Sequence, residues 1–408
     1  MTSEPALDAV DPPNQSDILA HVRHLSEKIG PRGSTTEAEE EAANYVSAQL
    51  TDLGLTTKKE RFDSAYSAYA PYAIATGMLL ICLFLYWQPQ WAVDSVAALF
   101  IGGVFFAALL MEMRFKDNLL RWVQSRGDSV NVSTHIMAVQ TEATGAPIVI
   151  TAHLDTHRTP LLFSSKQFLA LFKWLLPATL LSMGVLLLLF LVGIFSDARW
   201  LRMLALVPGA VVLLAFGLMV QADFTPFTKG ANDNASGVAV ALALAQRLHE
   251  QPLQRHAVHL VFTGAEEVAG YGANAFFAQH RDELKNAMHL VIDQVGDKQS
   301  DPCVVRSERF LVKAPSDPKL VAIAEQIMRD QPELKAHMRD LNLAYSELSV
   351  GARYGLRTIG LGALPHNGLP VDTWHRPTDT VDQISEDVLT RCESLAWHLL
   401  QGIDHQDA

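Results

Sequence analysis

Four charge-free apolar stretches set the terms for this chain of 408 residues. They run over 70–87 (APYAIATGMLLICLFLYW), 95–111 (SVAALFIGGVFFAALLM), 174–196 (WLLPATLLSMGVLLLLFLVGIFS) and 203–222 (MLALVPGAVVLLAFGLMVQA). About 20 consecutive apolar residues cross a hydrocarbon core, and none of the four carries the polar stripe of an amphipathic core helix. They are expected to span a membrane, and the composition, 49% hydrophobic with only 19% charged residues, agrees. The stretches pair into two hairpins, because only QPQWAVD (88–94) joins the first two and DARWLR (197–202) the second two. Each hairpin returns to the side it left, so the rest of the chain lies on one face of the bilayer.

Charge orients that arrangement. Lys58, Lys59, Arg61, Arg114, Lys116, Arg121, Arg126, Lys166, Lys173 and Lys229 cluster where the remainder meets the bilayer, against Arg199 and Arg202 in the far turns. The positive-inside rule then puts the soluble part in the cytoplasm. The polar, acidic first 20 residues have neither the basic nor the apolar region of a secretory signal. With Cys82 inside a span, Cys303 and Cys392 form neither a disulfide framework nor a zinc–cysteine cluster. A net charge of −12 argues against nucleic acid as a partner.

The soluble part is discontinuous: 1–69, 114–160 and 229–408, interrupted by hairpin segments at 70–113 and 161–228. Residues 16–53 read as amphipathic helices broken at Gly30-Pro31. TTKKERF (56–62) alternates like an edge strand. VNVSTHIMAVQ (130–140) and PIVITAH (147–153) are β-branched runs on either side of the turn signal TEATGA. Strands are also expected at 256–264, 288–293 and 357–362, alternating with helices after Asp233, between the strands, over about 317–330 and over 385–403. Such alternation predicts an α/β domain around a mainly parallel sheet flanked by helices.

In open α/β sheets ligands bind beyond the carboxyl ends of the strands. Those ends hold His153 and Asp155 (ITAHLDTH), Glu266 and Glu267 (VFTGAEEVAGYG) and Asp293 (LVIDQVGD). GANDNASG contributes Asp233 at a helix start, and VDTWHRPTDT contributes His375. Singly each has an ordinary reading: Asp233 as a helix cap, the glutamates as a solvated helix start, Asp293 as a turn residue. Together, that many carboxylates at one edge repel one another unless a cation is present. Oxygen and imidazole donors without thiolate suit zinc or a similar divalent ion.

The motifs AHLD, GANDNASG, GAEEVAGYGA, IDQVG and WHRPTDT, in this order, resemble the co-catalytic di-zinc aminopeptidases of the aminopeptidase Y and bacterial leucyl aminopeptidase type. LSEKIGPRGSTTEAEEEAANYVSAQLTDLGL (25–55) is similar to the first helices of that family. The resemblance implies a zinc exopeptidase-like fold with two zinc ions per chain: His153 and Asp293 on one, Glu267 and His375 on the other, Asp233 bridging. It implies Asp155 behind His153, fixing its ring, and Glu266 as the general base of a peptidase acting on the N-terminal residues of peptides. Tyr345 is a candidate donor to the oxyanion, and His157 and His366 are either substrate contacts or solvated loop residues.

The chain departs from that pattern where 78 positions separate Asp155 from Asp233 and the second hairpin is inserted. YSEL (345–348) also stands where relatives often carry Ser-Asp. An active edge held near the bilayer is expected to favour short peptides or membrane-proximal amino termini. Other readings are a glutaminyl cyclase, which resembles this fold but uses one zinc, and a carboxypeptidase using Arg353 or Arg376 to grip a carboxylate. A metal-free binding module is a further alternative. Chemistry inside the bilayer is not expected, since the four stretches contain no Asp, Glu or His.

Overall fold

β-Branched and aliphatic runs pair into one nine-stranded sheet in the computed structural model, which describes residues 15–88, 90–140 and 145–406. The first 14 residues and most of TEATGA, on which expectations about a signal and a turn rest, lie outside the described residues. The strands are β1 (Thr57–Ser64), β2 (Gly127–Ile136), β3 (Ile148–His153), β4 (Val258–Thr263), β5 (Met288–Ile292), β6 (Asp301–Arg309), β7 (Lys313–Pro315), β8 (His337–Asn342) and β9 (Arg357–Leu364). Their order is β1-β2-β4-β3-β5-β9-β6-β7, with β8 paired to β6.

The central block β4-β3-β5-β9 is parallel, as expected from the helix–strand alternation. Pairs β1–β2, β2–β4, β6–β9 and β6–β7 are antiparallel, so the sheet as a whole is mixed rather than mainly parallel. TTKKERF does form an edge strand. By contrast, β4 lies between β2 and β3, although those two are consecutive in the chain. The added β6–β8 region was missed because DPCVVRSER and HMRDLN mix charges with apolar residues and show no clean alternation.

Helices α1 (Gln15–Arg23), α2 (Glu37–Asp52), α8 (Gly237–Glu250) and α12 (Glu386–Gln406) share one core with the sheet. In GVAVALALAQRL, Gly237 through Ala245 is buried throughout, because α8 lies between the sheet on one side and α1 and α12 on the other. The outer helices α9 (Tyr271–Gln279), α10 (Pro318–Asp330) and α11 (Glu347–Arg353) complete the layers. Asp317 caps α10 by accepting from the Lys319 and Leu320 amides, a normal N-terminal arrangement.

The apolar stretches form α3 (Ala70–Tyr86), α4 (Trp91–Glu112), α6 (Lys166–Gly193) and α7 (Arg199–Asp223), while α5 (Leu119–Gln124) follows α4. Three of them, α4, α6 and α7, are long and apolar enough to cross a membrane; α3, with 17 residues, is a shorter apolar helix. The expectation of four full-length spans therefore stands at three. The four helices pack on one another, α3 against α4 and α7, and α6 against α4 and α7. Glycines meet large side chains at these crossings: Gly77 faces Phe216, Gly102 faces Leu79 and Leu187, and Gly209 faces Leu83. Close approach through small residues is how helices associate where no hydrophobic drive separates them from lipid. The outer surface is apolar, with Phe84, Phe100, Leu181, Leu188 and Val207 exposed. A patch that extensive marks an interaction surface or a membrane.

Candidate metal centre

Parallel pairing of β3, β4 and β5 brings their carboxyl ends to one edge, with His153 opposite Thr263 and Asp293 just beyond Ile292. His153 Nε2 lies 3.3 Å from Asp233 Oδ1 and 3.5 Å from Asp293 Oδ1. His375 Nε2 lies 3.4 Å from the other Asp233 oxygen, Oδ2, and 3.5 Å from Glu267 Oε2. Each Asp233 oxygen thus faces its own histidine and its own second carboxylate. Donors bound to a four-coordinate zinc at about 2.0–2.1 Å stand about 3.3–3.5 Å from one another. The observed separations match that edge on both sides of Asp233.

Several carboxylate atoms here are buried without a hydrogen-bond partner: Asp233 Oδ2, Glu266 Oε1, Glu267 Oε1 and Asp293 Oδ1. A buried polar atom left unsatisfied is costly. Burial raises the carboxyl pKa of Glu266 and Glu267 well above the usual range and also raises that of Asp293; the neighbouring carboxylates add to each rise. Burial would raise Asp233 as well, but His153 and His375 on its two sides hold it low. His153 is pulled down by burial, yet Asp155, Asp233 and Asp293 together raise it well above its ordinary value. A group of anions that resists ionisation in this way fits a bound divalent cation, and the donor set of oxygen and imidazole fits zinc.

The local sequence explains how these side chains are aimed. Asp233 does not cap α8. Asn234 does, its Oδ1 accepting from the Gly237 amide at 3.0 Å and from Gln294 N at 3.1 Å, while its Nδ2 donates to Ile292 O at 3.0 Å. Asn232 Oδ1 accepts from Gly296 N at 2.9 Å. The two asparagines of NDN therefore bolt Asp233 to the loop that carries Asp293. Gly237 permits this, since a Cβ there would collide with Asn234 and with the Ile292 carbonyl. The capping reading was right for the motif and wrong for Asp233.

Asp155 is fully buried and sits behind the cluster. Its Oδ1 accepts from Glu266 N at 2.9 Å, and its Oδ2 accepts from Glu267 N at 3.1 Å and from Ser34 Oγ at 2.6 Å. Its Oδ1 is also 3.4 Å from His153 Nδ1. The Asp155 carbonyl, 3.1 Å from His153 Nδ1, holds the histidine ring together with this carboxylate, which also fixes the backbone of both glutamates.

Sequence reasoning missed three supports. Asp379, in the same WHRPTDT motif as His375, accepts from Asn232 N at 2.7 Å and Asp233 N at 3.1 Å. Arg32 is buried, and its guanidinium donates to the carbonyls of Leu25, Gly30, Leu154, Lys229 and Gly230, tying the first helices to both flanks of the second hairpin. The third support is an aromatic wall around His375. His157 stacks on it at 3.5 Å between ring centroids, with Phe163 at 4.7 Å and Trp374 at 4.8 Å. Trp374 beside His375 was a visible signal. Phe163, at the foot of α6, carried none.

The remaining candidates divide. His157 is buried, with Nε2 at 3.1 Å from the Tyr69 hydroxyl and Nδ1 at 2.7 Å from Arg158 O, so it is not a solvated loop residue. His366 is exposed and pairs with Asp301 at 3.0 Å. Tyr345 reaches the site, its hydroxyl donating to Glu267 O at 3.3 Å; burial and then Glu266 and Glu267 keep it protonated. In YSEL, Ser346 bonds Glu308 and Glu347 accepts from Thr263 Oγ1 at 2.5 Å, so these two are held by the protein itself. Arg353 donates to Asn274 Oδ1 at 3.1 Å and Arg376 Nε to Phe163 O at 2.6 Å, and neither lines the cavity over the cluster. Neither of the two arginines expected to grip a carboxylate in a carboxypeptidase therefore faces the cluster.

Residues 217–400 match Peptidase family M28, a span that includes Asp233, Glu266, Glu267, Asp293 and His375. A zinc aminopeptidase from Bacillus subtilis is similar in structure at 15% identity, covering 96% of this chain and 95% of its own, with a TM-score of 0.56. A leucine aminopeptidase precursor from Bacteroides thetaiotaomicron is similar at 14% identity, covering 96% and 98%, with a TM-score of 0.53. A glutaminyl cyclase from an Acidobacteriales bacterium covers both chains fully at 14% identity, with a TM-score of 0.57. At such identities the likeness is one of fold. They share an α/β fold in which helices flank a mixed sheet.

Proposed function

We propose that the chain is a membrane-anchored di-zinc aminopeptidase. The observation that carries this reading is the divided Asp233 carboxylate, one oxygen facing His153 and Asp293 and the other facing His375 and Glu267. Those five side chains would hold the two ions, which when bound lower the pKa of a water and polarise the scissile carbonyl. Glu266, beside Glu267 on a backbone pinned by Asp155, takes the water's proton and returns it to the leaving amine. Tyr345 is positioned to donate to the developing oxyanion from the side of Glu267. His157, Phe163 and Trp374 exclude water from one face of His375.

The apolar helices hold this centre at a bilayer, with α3 joining the three longer helices in the membrane and the soluble domain on the cytoplasmic side. Substrates are then peptides whose amino termini reach the membrane surface. Among the alternatives, a glutaminyl cyclase has the support of similar folds, but a single-zinc enzyme gives Asp233 no reason to present both oxygens to separate donor sets.

The deciding experiment uses the purified zinc-loaded protein with leucyl anilide and with a peptide beginning in Gln. The proposal expects anilide hydrolysis and removal of the terminal Gln as the free amino acid. Cyclisation of the Gln peptide with no anilide turnover would replace this reading with the cyclase.

A further inference from the structure

The cavity over the cluster does not stop at the soluble domain. It has a volume of about 150 Å³ and runs from Asp233, Glu266 and His375 into the interior of the apolar helices. Its deep walls are Thr76 of α3, Leu109 of α4, Leu176 and Thr179 of α6, and Ala215 and Met219 of α7. The reach of the cavity, rather than its size, sets it apart: the side chain of one N-terminal residue held at the cluster does not extend to the walls given by four apolar helices.

The chemistry of the wall narrows the occupant. A peptide backbone would bring N–H and C=O groups that need partners in a region without water. Thr76 Oγ1 already donates to Tyr72 O at 2.6 Å, and Thr179 Oγ1 is the buried hydroxyl there without a partner. Thr179 and the Tyr72 side chain, which also lines the cavity, are too few to satisfy a strand, whereas a hydrocarbon chain asks for nothing. From Phe172 to Leu180, both on its wall, α6 advances about 12 Å.

A second cavity meets the first at Asp293, Gln294 and Tyr345. Its wall is also largely apolar, but Lys173, Glu308, Arg339, Asp340 and Asn342 join it, and it touches the apolar helices only at the foot of α6. The cluster thus lies between a more apolar chamber and a more polar one.

The geometry points to an aminoacyl amphiphile as substrate: an amino acid in amide linkage to a long hydrocarbon chain drawn from the bilayer. The amino acid lies in the more polar chamber, the amide at the cluster, and the chain between α3, α4, α6 and α7. Hydrolysis breaks the C–N bond of that amide. The water's oxygen joins the acyl carbon, its proton passes through Glu266 to the leaving nitrogen, and the products are a free amino acid and a long-chain amine. This inference rests on the hydrolytic reading of the cluster and extends it to the leaving side of the substrate.

The test uses leucyl alkylamides of increasing chain length, one of them carrying a photoactivatable diazirine at the chain end. With metal-stripped full-length protein, where no turnover is required, the diazirine probe should label Thr179, Ala215 or Met219, and excess unlabelled alkylamide should suppress that labelling. With zinc-loaded protein, kcat/KM should rise about two- to fourfold per methylene until the chain fills the chamber. Ala215→Trp should reduce the preference for long over short chains about tenfold, which is the loss of a few methylenes of burial. Labelling confined to outward residues such as Phe100 and Leu181, or rates indifferent to chain length, would overturn the proposal. If leucyl anilide is not hydrolysed but the inner labelling is seen, the chamber assignment holds and the peptidase reading is what fails.

Discussion

A single carboxylate is asked to do two things here, and its neighbours show how. Asp233 presents both oxygens because Asn232, Asn234 and Asp379 hold the backbone around it from three directions. Asn234→Ala should therefore loosen Asp233 and Asp293 together. Outer partners of metal ligands are typically worth about 10–100-fold in affinity, and a chelator titration of the zinc-loaded variant should show a loss of that size. Glu266→Gln keeps the hydrogen bond from its backbone to Asp155 and removes the titrating oxygen. Turnover should fall about 10²–10⁴-fold, the usual worth of a general base, with zinc content unchanged by elemental analysis. Loss of zinc from this variant would make Glu266 a ligand instead. The seven candidate residues, Asp155 among them, were visible in the sequence because six lie near strand ends or a helix start and His375 lies in a short motif of its own. Asp379 and Arg32 were not, since a buried carboxylate or guanidinium bonded to backbone leaves no periodicity or spacing to read.

Between elements, the parallel block carries the site and is itself sensitive to pH. His289 of β5 is fully buried, with Nε2 at 2.9 Å from Thr151 Oγ1 on β3, and burial lowers its pKa to about 3. An unfolded histidine titrates near 6.5, so between pH 6.5 and 3 the unfolded chain binds a proton that the folded chain refuses. The stability linked to His289 is fully present above pH 6.5 and drains away below it. The stability of the wild type relative to His289→Gln should fall by about 1.4 kcal/mol per pH unit across that window. Denaturation of both proteins at a series of pH values checks this, and a constant difference would show that His289 is protonated in the fold. This block was legible from hydrophobic runs alternating with helices. The antiparallel flank was not, because β6 and β8 gain their pairing from long-range contacts and their residues show no face.

At the scale of the molecule, the α/β domain and an apolar helical unit share one cavity, with Phe163 at the foot of α6 touching the ring of His375. The helices were the plainest feature of the sequence, and the hairpin between Asp155 and Asp233 put the active edge near them; which helix residues line the cavity was not legible, because nothing in an apolar run says which side faces a ligand. If the helices lie in a bilayer, the chain should stay in the membrane pellet through an alkaline carbonate wash and be released only by detergent; release by carbonate would make the apolar surface a protein interface instead. The central claim is that Asp233 joins two metal ions. Anomalous diffraction at the zinc edge, on crystals of zinc-loaded protein, measures this directly. The account predicts two peaks about 3.5–4 Å apart, one between His153 and Asp293 and the other between His375 and Glu267. A single peak, or two peaks that leave Asp233 bound to only one of them, would contradict it.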